Sequence, residues 1–293
     1  MPAASFEYHV PATIQEAIAL LTQYDGEAKI LAGGHSLLPI MNLRLAQPKA
    51  LIDIGKIPGL SGIREDNGTI IIGAMTTHYL VETSSLLQQK VPILPETAAV
   101  IGDVQVRNRG TIGGSLAHAD PAGDLPAVMQ MAETQFKLIG PGGERTVPTE
   151  QFFVDLLTTA LGPDEILAEI QMDVPPARTG TAYLKVFQKA SGFAIVGVAA
   201  RVTLGADGRT GQTARIGITG VAAKAFRARG VEQALQGQAI DEAAITAAAE
   251  HASDGVEALS DLHASGDYRL ALTRVYTKRA LLRALTRAQG GTS

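Results

Sequence analysis

The sequence predicts an α+β fold in two parts. Three observations predict it. Strand-like apolar runs feed glycine bends without the regular helix alternation of a doubly wound sheet. Pro175-Pro176, followed by Arg178-Thr179-Gly180, breaks the chain with a rigid and then a flexible stretch. Beyond that break come strands followed by helices. A length of 293 residues suits two domains, and a hydrophobic content of 46% supplies core for both.

The elements follow in order. Thr13 is placed to cap a first helix, with Glu16 three residues on and Ile14, Ala17, Ile18 and Leu21 on one face; Gly26 stops it. Lys29 to Ala32 reads as a short buried strand running into the bend Ala32-Gly33-Gly34-His35-Ser36. The segment from Ser36 to Pro48 contains Pro39, which disfavours a helix. Ala50 to Ile54 and Thr69 to Ile72 read as further strands, and a second bend, Thr111-Ile112-Gly113-Gly114-Ser115, follows downstream. Pro141-Gly142-Gly143 marks a hairpin turn after Phe136 to Ile139. Past the proline pair, Ala182 to Phe187, Ala194 to Leu204 and Ala214 to Val221 are strand candidates, with Asp207-Gly208 as a turn. Asp241 to His251 and Asp267 to Ala288 are closing helices, Asp267 being the expected N-cap of the second.

Composition narrows function. The formal charge of −4 argues against a broad nucleic-acid surface, and 4% aromatic residues without tryptophan argue against a base-stacking platform. The absence of cysteine excludes disulfides, thiolate zinc and cysteine-held iron–sulfur clusters on this chain. No apolar run reaches the ~20 residues of a membrane span, and Met1 to Tyr8 lacks a signal-peptide pattern, so a cytoplasmic location is expected. The glycine bends carry the positive signal. Paired glycines let main-chain N–H groups approach an anion closely, and two such bends brought together would clamp a diphosphate, as in a dinucleotide. Neither bend has the Gly-x-Gly-x-x-Gly pattern. His118 and Asp120 with Asp124 offer a small oxygen/nitrogen metal site, but Pro121 and Gly123 make the segment read first as a turn. Arg274, Lys278, Arg279, Arg283 and Arg287 on the last helix read as a solvated face, with an acidic partner subunit as the second reading.

Longer stretches carry a family resemblance. Ile30-Leu31-Ala32-Gly33-Gly34-His35-Ser36-Leu37-Leu38-Pro39 continues through Met41 to Pro48 and Leu51 to Ile54. Further matches are Ile72-Gly73-Ala74-Met75-Thr76-Thr77-His78, Arg107 through Ser115, Asp120 through Pro126, Phe193 through Ala199, Ile218 through Ala222, and Gly266 through Arg269. Together they resemble, over essentially the whole chain, the FAD-binding medium subunits of the molybdenum hydroxylases. That is the xanthine dehydrogenase family, and the likeness is greatest to the aerobic carbon monoxide dehydrogenase type.

The resemblance implies a two-part, PCMH-like FAD-binding domain over 1–176, with subdomains of about 1–57 and 58–176. A smaller domain of antiparallel sheet plus helices, over 177–293, completes it. It implies non-covalent FAD held by Ile30 through Leu37 and by Thr111, Ile112, Gly113, Gly114 and Ser115. Ile101 and Gly102 would line the flavin site, Asp124 would bind the hydroxyl-bearing portion, and Leu167 and Lys185 would be later contacts. Phe193 stands where relatives often have a tyrosine over the flavin ring. Some FAD oxidases of a related fold attach flavin through a histidine in a similar bend, but the longer match favours a non-covalent role for His35. The implied partners are a small subunit with [2Fe-2S] clusters and a large subunit with molybdopterin, arranged as a dimer of heterotrimers, at the inner membrane face where the complex docks there. The large subunit would select carbon monoxide, an aldehyde or an N-heterocycle. A stand-alone FAD oxidase of the same fold and a non-enzymatic scaffold are the competing readings.

Overall fold

A computed structural model describes residues 2–291. The first helix, Ile14–Tyr24, begins where the sequence places it. Thr13 Oγ1 accepts from Glu16 N at 3.1 Å, and Glu16 Oε2 accepts from Ala12 N at 2.7 Å. The helix ends at Asp25, whose φ of 44° is left-handed. Its buried face, Ala17, Ile18 and Leu21, covers a small parallel sheet of β1 (Glu7–His9), β2 (Ala28–Leu31) and β3 (Ala50–Asp53) in the order β1-β3-β2. β2 is an edge strand and only its first residue is buried, so the expected buried strand is half-buried. The glycine bend leaves its carboxyl end. A short helix, Leu37–Asn42, follows and contains Pro39, against expectation. Pro39 sits in the first turn, where its missing N–H has no intrahelical acceptor to lose.

A second sheet is antiparallel. β4 (Ile63–Asp66), β5 (Thr69–Gly73), β6 (Gln135–Gly140) and β7 (Gly143–Pro148) are joined, after the ribbon β8 (Phe153–Asp155) and β9 (Thr158–Thr159), by β10 (Ile166–Asp173). The order is β4-β5-β10-β6-β7. The Pro141-Gly142-Gly143 turn closes the β6–β7 hairpin. A register shift in β10 between Leu167 and Glu169 is a bulge. Before it, Ile166 and Ala168 face the first sheet's core; after it, Ile170 and Met172 face the main core with Leu167. One extra residue thus switches the buried face within a single strand.

Between β5 and β6 run short helices, among them Ile93–Ala98, Ile112–His118 and Leu125–Ala132. Phe136, Phe152 and Phe153 form a ring cluster in the core they cover, Phe136 and Phe152 with centroids 4.1 Å apart.

The third sheet is β11 (Thr179–Phe187), β12 (Ala194–Leu204), β13 (Gly211–Thr219) and β14 (Phe226–Arg227), antiparallel in that order. Its inner face packs on the long helix Gly266–Ala288 through Val196, Val198, Ala200 and Val202. Its other face meets the helix Leu125–Ala132. A Cβ on Gly217 would land on the Ala127 carbonyl oxygen, so glycine is what allows this close approach.

Two expectations change here. Ser265, not Asp267, caps the last helix, its Oγ accepting from Tyr268 N at 3.3 Å; Asp267 sits in the first turn. The basic residues of that helix are largely engaged within the chain. Lys278 pairs with Glu242 at 3.2 Å, Arg287 with Glu96 at 2.6 Å, and Arg279 lies over the Tyr276 ring. No helix among the described residues is long and apolar enough to cross a membrane.

Candidate cofactor site

The two glycine bends, about eighty residues apart in sequence, touch. A Cβ on Gly33 would land on the Arg109 carbonyl oxygen and within 2.7 Å of Gly110 Cα, and one on Gly114 would come within 3.4 Å of Ala32 Cβ. Thr77 and Thr111 form an isolated antiparallel bridge, and His78 N donates to the Gly110 carbonyl oxygen at 2.9 Å. The second bend is therefore pinned from behind while the first rests on it.

The bends differ in what they can offer. At the first, Gly34 takes a φ of +76°, and the N–H groups of Gly33, Gly34, His35 and Ser36 find no protein acceptor among the described residues. Successive N–H groups left free around such a turn form an anion-binding concavity. The His35 ring braces the turn, its Nδ1 lying 2.9 Å from the Gly33 carbonyl oxygen.

The second bend is not an open turn. Thr111 caps a helix whose first residues are Ile112, Gly113 and Gly114. Ile112 N donates to Thr76 O at 2.9 Å, Gly113 N to Ala74 O at 2.8 Å, Ser115 N to Thr111 O at 3.0 Å and Gly114 N to Thr111 Oγ1 at 3.1 Å. A run of free amides from Thr111 through Ser115 is thus corrected: only Thr111 N–H stays free, beside the Ser115 hydroxyl. The glycines here serve approach. Gly113 lies against Ala74, with no room for a side chain.

Beside the touching bends, and lined by both, opens a cavity of about 630 Å³, within the range of small-molecule and cofactor sites. Ile30, Ala32 through Leu37, Thr111, Gly114 and Ser115 line it, as do Ile101, Gly102, Asp124 and Phe193. Phe193 is 42% exposed, an aromatic face on the wall with no core to hold it. Five expected residues stand back. Leu31 packs beneath Gly34, and Ile112 and Leu167 are buried in the core. Gly113 packs on Ala74, and Lys185 lies behind the wall. Leu167 alternates along β10 with Ile166 and Ala168, which face the first sheet's core, and so points into the main core. The residues present suit a dinucleotide: free main-chain donors for its diphosphate, glycines for close approach, and aromatic cover at the other end.

His78 and Tyr183 were not legible beforehand. His78 is 4% exposed on the cavity wall, with its Nδ1 buried and without a partner. Burial, with charge from His35 and Arg107 adding to it, pushes its imidazole down to about 4, so it stays neutral near pH 7. Asp124 accepts from the Tyr183 hydroxyl at 2.6 Å and from Lys185 Nζ at 3.0 Å. Burial raises the Asp124 carboxyl above its ordinary range, opposed by Lys185 and Tyr183. Burial, and then Asp124, hold the Tyr183 phenol well above 10. Tyr183 and Lys185 are two apart on β11, and strand alternation alone puts them on one face. His118 Nε2 lies 4.0 Å from Asp120, while Asp124 turns to Tyr183 and Lys185 instead. A further wall, Leu157 to Glu165, is held by Arg145, which clamps Glu165 at 2.6 Å and the Ala160 carbonyl oxygen at 2.6 Å.

Known proteins of this kind exist. A family described as the FAD binding domain in molybdopterin dehydrogenase matches residues 4–175, and one described as the CO dehydrogenase flavoprotein C-terminal domain matches 181–284. The chain is 45% identical over 276 residues to the carbon monoxide dehydrogenase medium chain of Hydrogenophaga pseudoflava, covering 94% of this chain and 96% of the relative. The structure of carbon monoxide dehydrogenase from that organism, in a form lacking the Mo-pyranopterin moiety of its molybdenum cofactor, superposes with a TM-score of 0.95 at 45% identity over 98% of this chain and 99% of that one. Quinoline 2-oxidoreductase from Pseudomonas putida 86 superposes with a TM-score of 0.93 at 34% identity, covering 99% of this chain and 100% of that one. The chain belongs to the FAD-binding subunits of the molybdopterin dehydrogenases, the family of the carbon monoxide dehydrogenase medium chains.

Proposed function

We propose that this chain is the electron-transfer subunit of a molybdenum hydroxylase, of the carbon monoxide dehydrogenase kind. It takes electrons from iron–sulfur clusters on a small partner subunit, fed in turn by a molybdopterin-bearing large subunit, and passes them to an external acceptor. The observation that carries this is the meeting of two bends around unspent main-chain donors. FAD, when bound, accepts electrons singly and releases them in pairs.

The chain's own residues bind and orient. Gly33 through Ser36, with Thr111 N–H and the Ser115 hydroxyl, hold the diphosphate without the cost of burying several cations. Asp124 takes hydroxyls from the cofactor's polyol end, and Phe193 with Ile101 and Gly102 flanks the ring. His78, neutral in its buried setting, adds no charge beneath the bend. With no cysteine the chain has nothing to hold a cluster, which suits division of labour with a partner. The proposed division is 1–57 and 58–176 for FAD binding and 177–293 for the flavoprotein C-terminal domain. The assembly is a cytoplasmic dimer of heterotrimers.

The test is purification of the full chain with excess FAD. One flavin per chain, released by acid into the supernatant to leave a colourless pellet, and co-purification with chains containing iron and molybdenum are expected. Turnover of a substrate by the isolated chain would instead identify a stand-alone FAD oxidase.

A further inference from the structure

Three segments of the cavity wall meet at one side chain that does not line it. The Lys185 side chain on β11 is 6% exposed. Its Nζ donates to the Val100 carbonyl oxygen at 2.7 Å, to the Gly192 carbonyl oxygen at 2.7 Å and to Asp124 Oδ2 at 3.0 Å. An ammonium group has three protons, so none is left for a ligand. Each acceptor belongs to a different stretch of wall. Val100 precedes Ile101 and Gly102, Gly192 precedes Phe193, and Asp124 heads the helix Leu125–Ala132.

We propose that Lys185 is a positioning residue, a three-way tie that sets where Phe193, the Ile101-Gly102 turn and Asp124 stand around the cavity. The tip of the β11–β12 hairpin explains the need for it. That tip is closed on itself: Gln188 N donates to Phe193 O at 2.8 Å, Gly192 N to Gln188 O at 2.8 Å, and Ser191 N to Gln188 Oε1 at 2.6 Å. It therefore moves as a unit, and Phe193 is too exposed to anchor it. Beyond the tip, Ala194 N holds the Ala122 carbonyl oxygen at 3.0 Å, while a Cβ on Gly192 would stand 3.5 Å from Gly102 Cα. Tip and turn are in contact, and Lys185 Nζ is the charged group that bonds to both. Asp124 differs from the two carbonyls, because it keeps the Tyr183 hydroxyl if Lys185 is lost.

This inference rests on the cavity being the FAD site, and its test separates the two. Hydrogen exchange is measured on the full FAD-free chain, wild type against Lys185→Met, which keeps the reach and removes the donors. Amides of Ile101 and Gly192, which donate to Ala98 O and Gln188 O, exchange at least tenfold faster in the variant, those following Asp124 change less, and those of β5 stay unchanged. FAD affinity falls at least tenfold in parallel. Lys185→Cys alkylated with 2-bromoethylamine rebuilds an ammonium of the same reach, and the chain has no other cysteine to react. That rescue restores both readouts. If the unpaired Asp124 carboxyl prevents folding, the double variant Asp124→Asn/Lys185→Met carries the same expectation for Ile101 and Gly192. Weaker FAD binding with unchanged exchange in the FAD-free chain would make Lys185 a direct contact and overturn the tie. Faster exchange everywhere, β5 included, without rescue would overturn it in favour of general packing. A wild-type chain that binds no FAD but shows the localised exchange would sink the cofactor reading and leave the tie standing.

Discussion

His78 should make the fold sensitive to mild acid. Its imidazole is buried against the Gly110 backbone, within reach of the charges of His35 and Arg107, with an ordinary value of 6.5 lowered to about 4. The direction follows from proton counting. Between those values the unfolded chain binds a proton that the native chain refuses, so stability rises with pH across that window and is lost as pH falls through it. At about 1.4 kcal/mol per pH unit, the full window is worth about 3 kcal/mol, and about 2.5 kcal/mol has gone by pH 4.5. The assay is urea unfolding of the FAD-free full chain at pH 7 and pH 4.5, wild type against His78→Gln. Glutamine carries its own packing cost, but that cost does not titrate. The charged groups facing His78 are His35 and Arg107, the latter paired with Glu82 at 2.7 Å, and all three remain in both proteins and largely cancel. The gap between the two proteins should therefore shift by about 2.5 kcal/mol in favour of the variant on acidification. Parallel pH curves would refute the reasoning and mean that His78 is protonated, or solvated, in the fold.

Other expectations concern the close approaches and the caps. Gly33→Ala pushes the first bend off Arg109 and Gly110 and should weaken FAD binding at least tenfold by flavin fluorescence, whereas Gly142→Ala, with open space around it, should bind normally. Gly217→Ala drives β13 from the helix Leu125–Ala132, an overpacking cost of about 1–3 kcal/mol readable in chemical denaturation. Ser265→Ala should cost about 1 kcal/mol, and Asp267→Asn only a few tenths, because the cap is the serine. An equal or reversed ranking would return the cap to Asp267.

Local chemistry explains what was legible from residues alone. Thr13 with Glu16, the Pro141-Gly142-Gly143 turn and the strands beyond Pro176 are specified by neighbours a few positions apart. The short helices between Thr77 and Ala132 were not. Leu125 through Met131 are all buried, so no polar face marks a helical period. Ile112-Gly113-Gly114 hid its helix for a related reason: two glycines argue against helix locally, and only Thr111 capping and the packing of Gly113 on Ala74 decide otherwise.

The amino-acid order by itself determined the α+β class, the two glycine bends and, through long matched stretches, the family. Each of these is carried by short-range pattern or by identity at named positions. Tertiary structure alone decided which bend keeps free donors, that Leu167 turns into the core, that His78 is buried neutral, and that Lys185 spends its three protons behind the wall. Those outcomes depend on acceptors and burial supplied by residues tens of positions away, and no local reading of a lysine, a leucine or a glycine pair contains that information.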